Sequence, residues 1–361
     1  MSQNVSSSRI HSLDGLRAAS ILLVIVGHIA GTVNAPAWLT PMHNLGNFGV
    51  KIFFVISGFL ITFLLLDEVR RKGAISLSGF YLRRIYRIFP AYYFYIACIV
   101  LASSIGIVDL LPGDVFHAST YTMNYHHDRA WALNHTWSLA VEEQFYLLWP
   151  LALLALGVRR AIICAILFTL LAPLIRATMW YGMDANVSAM TREFQAVGDA
   201  LAAGCLLAVV YYRGWSLPGW FRSTGFVVIP LSLFVLPAIL YKLDPGLYYV
   251  FGQSYVNIAA AFIVWRCVSV NRGPAYRVLN YPPMVWLGTL SYSLYLWQEP
   301  FLNSWSTAWF ASWPVNLVLA FVCAVTTHYL IERPFLGLKE RLSRSSEEMP
   351  LAVKRSIFQK D

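Results

Sequence analysis

Acidic side chains are scarce in this chain, with 18 Asp and Glu against 27 Lys and Arg, and charged residues of both signs make up only 12% of its 361 positions. A soluble globular domain carries about a quarter charged residues, so this composition excludes one. Paired cysteines are missing too. Cys98, Cys164, Cys205, Cys267 and Cys323 stand singly inside apolar runs, odd in number and far apart. That pattern supports neither a disulfide framework nor a zinc site and leaves them as small packing residues. No internal repeat is visible, which weakens an inverted-repeat transporter. No soluble catalytic segment is expected beside the apolar runs, so the chemistry is expected to sit among them.

What is present is 58% hydrophobic and 15% aromatic, with a mean hydropathy of +0.57. Runs near the roughly 20 residues needed to span a bilayer occur at 16–36, 46–66, 89–109, 137–157, 161–180, 194–212, 225–242, 248–266, 284–304 and 314–332. The expected fold is an all-α, polytopic integral membrane helical bundle of about ten transmembrane helices. Arg9 and Arg17 before an apolar stretch, with Ala35-Pro36-Ala37 after it, imitate a signal peptide. The length of that run and the span that follows at once argue for a first helix instead.

The placement of charge sets the orientation. With the N-terminus inside, 22 of the 27 Lys and Arg fall on the cytoplasmic side, and only Lys51, Arg129, Arg176, Arg192 and Lys242 remain on the other side or at its margin. Both termini are then cytoplasmic. The net charge of +9 becomes an insertion signal that needs no nucleic-acid partner.

Arg17 and His28 are eleven residues apart, almost a whole number of helical turns, so they leave one face about 16 Å apart along the axis. Arg17 would lie at the membrane surface and His28 within the hydrocarbon, where an ionisable group marks a functional site. Arg83, Arg84 and Arg87 enter the third span at i, i+3 and i, i+4 spacing, so their forks can converge on phosphate oxygens beside Arg17. A basic loop touching anionic lipid has the same spacing. In the fourth span Ser138 and Glu142 share a face at i, i+4. Counted from the outer ends of their helices, Glu142 and His28 reach similar depths. A carboxylate there would orient the imidazole and favour its charged form, as a general base requires; a structural ion pair would use the same residues.

On the outer side Arg192, Glu193, Asp199, Gln298 and Glu299 could ring an acceptor cleft, or each could be a helix-end charge. His117, His126, His127, Asp128 and His135 lie in the outer loop 110–136, where adjacent His126 and His127 are poorly spaced for one metal and a solvated loop is expected. His328 and Glu332 read as a local i, i+4 pair. Gly27, Gly49, Gly58 and Gly198 read as positions of close helix approach.

Taken in order, Leu13-Asp14-Gly15-Leu16-Arg17 with His28, Phe48 to Leu60, Arg84-x-x-Arg87, Trp137 to Tyr146, Ser291 to Trp297 and Glu332-Arg333-Pro334-Phe335 resemble the acyltransferase 3 family of integral membrane O-acyltransferases. The resemblance implies a ten-helix acyltransferase domain at 1–337, a polar cytoplasmic tail at 338–361, and a stand-alone member without the SGNH esterase-like domain some members carry. It implies catalytic roles for His28 and Glu142, binding of the donor by Arg17, Arg84 and Arg87, and supporting or acceptor roles for Asp14, Ser138 and Asp199. No metal is implied and no cofactor is permanently bound; acetyl-CoA or another acyl-CoA is the donor substrate. The acyl group passes to a hydroxyl of an extracytoplasmic glycan or glycolipid, such as lipopolysaccharide, capsule or exopolysaccharide, or of a small metabolite of macrolide type. The location implied is the inner (cytoplasmic) membrane. Two positions depart from the family pattern: Gln298, where many relatives carry His, and Lys51, where relatives often carry an acid. A proton-coupled transporter would also need His and Glu at mid-depth, and a membrane scaffold would need neither.

Overall fold

The computed structural model describes residues 10–215 and 225–338, and among these it is helical with no strand. The expected tail beyond Leu338, and Arg9 and Arg222 of the charge count, lie outside the described residues. Nine long helices organise the rest: α1 (His11–Ile29), α2 (Leu45–Lys72), α3 (Leu77–Ser104), α4 (Thr136–Ala177), α5 (Asp199–Tyr212), α6 (Gly225–Leu243), α7 (Gln253–Ser269), α8 (Pro282–Phe301) and α9 (Val315–Thr327). Six helical stretches are long and apolar enough to cross a membrane: α1, α2, α3, Trp131–Gly182, Pro245–Ser269 and Val315–Leu338. The chain is therefore a multi-pass membrane protein.

Local sequence explains where the helices begin and end. Arg70, Arg71 and Lys72 occupy the last turn of α2, where cations meet the negative end of the helix dipole. Gly73 then stops the helix at φ 75°, a left-handed conformation that a side chain would strain. Ser76 caps α3 by accepting from the Gly79 amide at 3.3 Å. The predicted stretches 137–157 and 161–180 fall in one run, α4, which turns at Gly157 (φ 73°, ψ 159°). The predicted 194–212 is helical as α5 over only 14 residues.

α1 packs against α2 and α8, α2 against α5, and α7 against both α2 and α5. Backbones touch at these crossings. A Cβ on Gly58 would overlap the Leu201 carbonyl, and one on Gly204 the Val55 carbonyl, so α2 and α5 approach as closely as helices can. α1 and α8 meet in the same way, with Gly288 against the Asp14 carbonyl. The crossing fixes α8 along α1, the helix that carries both Arg17 and His28.

Candidate active site

Arg17 of α1, Arg84 and Arg87 of α3, and Ser138 and Glu142 of α4 line one cavity, whose other walls come from α2 and α8. The sorting of the arginines follows from the acids nearby. Asp67 takes Arg70 at 2.6 Å and Arg71 at 2.8 Å, and Glu68 takes Arg83 at 3.4 Å and Lys72 at 3.8 Å. Arg84 and Arg87, one turn apart, turn into the cavity instead. The Arg84 guanidinium lies 4.3 Å over the Tyr146 ring, a cation–π contact that restrains it. Three guanidinium groups around one cavity are forks that pair with anionic oxygens.

Glu142 does not reach His28, and this corrects the expected pairing. Its Oε1 accepts from Ser57 Oγ at 2.8 Å and its Oε2 from Tyr146 Oη at 3.0 Å, both in the arginine cavity. Equal depth along two helices says nothing about which faces meet. The face of α4 that carries Ser138 and Glu142 turns toward Tyr295 of α8 and Ser57 of α2. Ser57 and Tyr146 went unremarked from sequence, although Tyr146 follows Glu142 by four residues and so shares its face.

The partner of His28 is Gln298. Gln298 Oε1 lies 2.6 Å from His28 Nδ1, and the Trp131 ring stands edge-on at 5.7 Å. An amide oxygen only accepts, so Nδ1 carries the ring proton and Nε2 keeps its lone pair. Nε2 has no hydrogen-bond partner among the described residues. Beside Gln298, Glu299 is fully buried. It accepts from Asn134 Nδ2 at 2.7 Å and from the His135 backbone amide, and lies in ion-pair contact with the His135 ring, while its own carbonyl accepts from Trp131 Nε1 at 2.8 Å. Arg192 and Arg129 donate to Asn134 Oδ1 at 2.7 and 2.9 Å. Gln298 and Glu299 are thus a linked pair at the His28 end of α8, with Arg192 in the surrounding network.

Between the two groups stands Tyr295. Its hydroxyl lies 2.5 Å from Ser138 Oγ and donates to the His135 carbonyl at 3.2 Å. Tyr295 and Ser138 line the arginine cavity, and His135 belongs to the Glu299 network, so this contact joins the two.

Other expected site residues are elsewhere. Asp199 is 1% exposed, paired with Arg176 at 3.1 Å and accepting from Ser254 at 3.1 Å, so it braces α4, α5 and α7 and does not line the cleft. Asp14 lies in the first turn of α1, where its backbone meets α8. Lys51 is buried and donates to Gln253 Oε1 at 3.0 Å. The loop 110–136 is ordered by its own bonds rather than solvated. Asp114 accepts from the Leu111 and Ala130 amides and faces His126 at 3.3 Å, His117 stacks on His126 at 4.4 Å, and His127 meets Glu193 at 3.2 Å. His135 is buried at 2% exposure. Among the described residues no group of three or more His, Cys, Asp or Glu is placed to hold a metal. His328 pairs with Glu332 at 2.8 Å, as the spacing predicts.

Comparison with known proteins places the chain in a family. Residues 10–333 match the family profile described as an acyltransferase domain (Acyl_transf_3). Over 337 aligned residues the chain is 29% identical to the peptidoglycan O-acetyltransferase OatA of Listeria monocytogenes, covering 82% of this chain and 50% of the relative. It is 29% identical to the putative peptidoglycan O-acetyltransferase YrhL of Bacillus subtilis over 90% of this chain and 54% of the relative. It is 30% identical to the O-acetyltransferase OatA of Staphylococcus aureus over 81% and 51%. The chain therefore spans about half the length of the curated relatives it matches. No solved structure gives a significant match. With the match running from the start of α1 to beyond α9, and the arginines, His28 and Glu142 all inside it, this chain belongs to the acyltransferase 3 family.

Proposed function

We propose that this chain is a membrane O-acetyltransferase, which takes an acetyl group from acetyl-CoA on the cytoplasmic side and transfers it to a hydroxyl of an extracytoplasmic glycan. The reading includes ten membrane passes with both termini cytoplasmic, in the inner (cytoplasmic) membrane. The relatives named for peptidoglycan make that polymer the first acceptor to try.

The observation that carries the proposal is the pairing, along α1, of an arginine-lined cavity at one end with an imidazole at the other whose Nε2 is unengaged. Arg17, Arg84 and Arg87 hold the nucleotide phosphates, and the thioester arm extends along α1 toward His28, past Ser138 and Tyr295. His28 Nε2 takes the proton of the acceptor hydroxyl as its oxygen attacks the thioester carbon. Gln298 Oε1 fixes the tautomer by holding Nδ1–H, as a carboxylate does in a Ser-His-Asp triad. Glu142, with Ser57 and Tyr146, shapes the donor cavity and offsets part of its positive charge.

The test is to incubate membranes with labelled acetyl-CoA and host glycans. Label on a glycan hydroxyl, lost in His28→Ala at equal protein level, is the expected result. Transfer that persists in His28→Ala overturns the mechanism, and no transfer by the intact protein overturns the function.

A further inference from the structure

A second groove lies at the end of the bundle where α1 begins and α7 stops. α1 separates it from the arginine cavity, for Leu16 lines the groove and Arg17 the cavity. One wall is a single face of the last turns of α7, where Phe262, Ile263, Arg266, Cys267 and Val270 follow at i, i+1, i+4, i+5 and i+8. The other is the short helix Pro274–Leu279 that follows α7. This helix is pinned to α1 at its far end only. A Cβ on Gly15 would overlap the Leu279 carbonyl, and Asn280 Nδ2 donates to Ser12 Oγ at 2.8 Å. Toward its start it is uncovered: none of its 6 residues is buried, and Val278 is 58% exposed.

The lining is apolar except at one place. Arg266, in the last turn of α7, and Arg272, in the loop after it, both line the groove, and no acid stands among the described lining residues. The complementary occupant therefore has an apolar body and a negative head. At the margin of a membrane that combination is a phospholipid, and basic pockets between membrane helices take anionic headgroups.

We propose that this groove binds one anionic phospholipid from the leaflet at that end of the bundle, with its phosphate on Arg266 and Arg272 and an acyl chain between α7 and the short helix. The topology proposed above makes that leaflet the cytoplasmic one; the site itself does not depend on acyl transfer. A lipid seated there covers the exposed side of the short helix and, through Leu279 and Asn280, braces the first turns of α1, the helix that carries Arg17 and His28.

The test uses the full chain, purified in detergent and stripped of lipid, then titrated with phosphatidylglycerol or with phosphatidylcholine of the same acyl chains. Native mass spectrometry counts the lipid retained. Expected is one phosphatidylglycerol per chain at concentrations where phosphatidylcholine is not held. Arg266→Gln with Arg272→Gln weakens its binding by about 10–30-fold. Ala275→Phe, which leaves both arginines and fills the apolar part of the groove, weakens it too, whereas Arg70→Gln with Arg71→Gln, a basic pair engaged by Asp67, leaves it unchanged. Equal retention of the two lipids, or a loss in the Arg266 and Arg272 variant no larger than in the Arg70 and Arg71 control, overturns the site. So does wild-type binding in Ala275→Phe, which also decides the matter if the arginine variant fails to accumulate. Because lipid binding is read without acetyl transfer, failure of this site and failure of the proposed function are told apart.

Discussion

Neutralising Arg84 and Arg87 together should all but remove acetyl-CoA binding. Both side chains come from one turn of α3 and line the same cavity as Arg17, whereas Arg70, Arg71 and Arg83 are engaged by Asp67 and Glu68. A charge-assisted bond from guanidinium to phosphate is worth about 1.5–3 kcal/mol. Losing two gives about 3–6 kcal/mol, or roughly 10²–10⁴ in Kd at 1.4 kcal/mol per decade. Arg84→Lys should also weaken binding, because lysine lacks the guanidinium fork that lies over Tyr146 at 4.3 Å and pairs with phosphate through two bonds. Arg70→Gln with Arg71→Gln is the control. Those exposed pairs are worth at most about 1 kcal/mol and lie outside the cavity lining, so donor affinity should stay within about twofold. Equilibrium binding of labelled acetyl-CoA to purified protein in detergent, at low and moderate salt, reads all three variants against the wild type. Unchanged affinity in Arg84→Gln/Arg87→Gln, or a loss equal to that of the control, would refute the assignment of this cavity to the donor.

Three further outcomes follow from other parts of the bundle. Asp199→Asn should lower thermal stability sharply, since stranding Arg176 at 0% exposure costs about 3–5 kcal/mol; Asp199→Asn with Arg176→Met should recover much of it, read by fluorescence-detected thermal unfolding. Gly58→Ala should destabilise by at least about 1–3 kcal/mol through overlap with the Leu201 carbonyl, whereas Ala at position 182, where an added methyl meets nothing, should pass the same assay unchanged. Burial holds His117 below its ordinary value of 6.5, with stacked His126 adding to the effect and Asp114 opposing it. The folded loop therefore refuses a proton that the unfolded chain accepts, so its stability is intact above about pH 6.5 and falls as pH drops through that value. Limited proteolysis of 105–130 should speed up in acid relative to neutral pH, and His117→Phe should shrink the difference.

Much of this arrangement is legible along single helices and little of it across them. Eleven residues on one face bring Arg17 and His28 into line, and i, i+4 spacing sends Ser138 and Glu142 into the same cavity. Gly157 marks the break between two predicted spans. Which helix faces which is not written in any one period. Glu142 and His28 share a depth, but α8 supplies Gln298 where α4 was expected to supply a carboxylate. Asp199 reads as a cleft or helix-end charge and Arg176 only as a basic residue at the outer margin, 23 positions away, and the crossing of α4 with α5 makes them a pair. His135 and Glu299, 164 apart, were hidden for the same reason. Gln298 itself reads from sequence only as a cleft or helix-end residue that departs from the family pattern. Its use as an orienting acceptor becomes visible only with the imidazole 2.6 Å away.

The central claim is that one bundle joins a donor on one side of the membrane to an acceptor on the other at His28. Reconstitution into sealed vesicles of known orientation tests it, with acetyl-CoA confined to the compartment that the α2–α3 turn faces and a soluble glycan acceptor confined to the opposite one. The account predicts acetylated glycan across the intact membrane, abolished by His28→Ala and by Arg84→Gln/Arg87→Gln. Acetylation that occurs only when donor and acceptor share a compartment would contradict it.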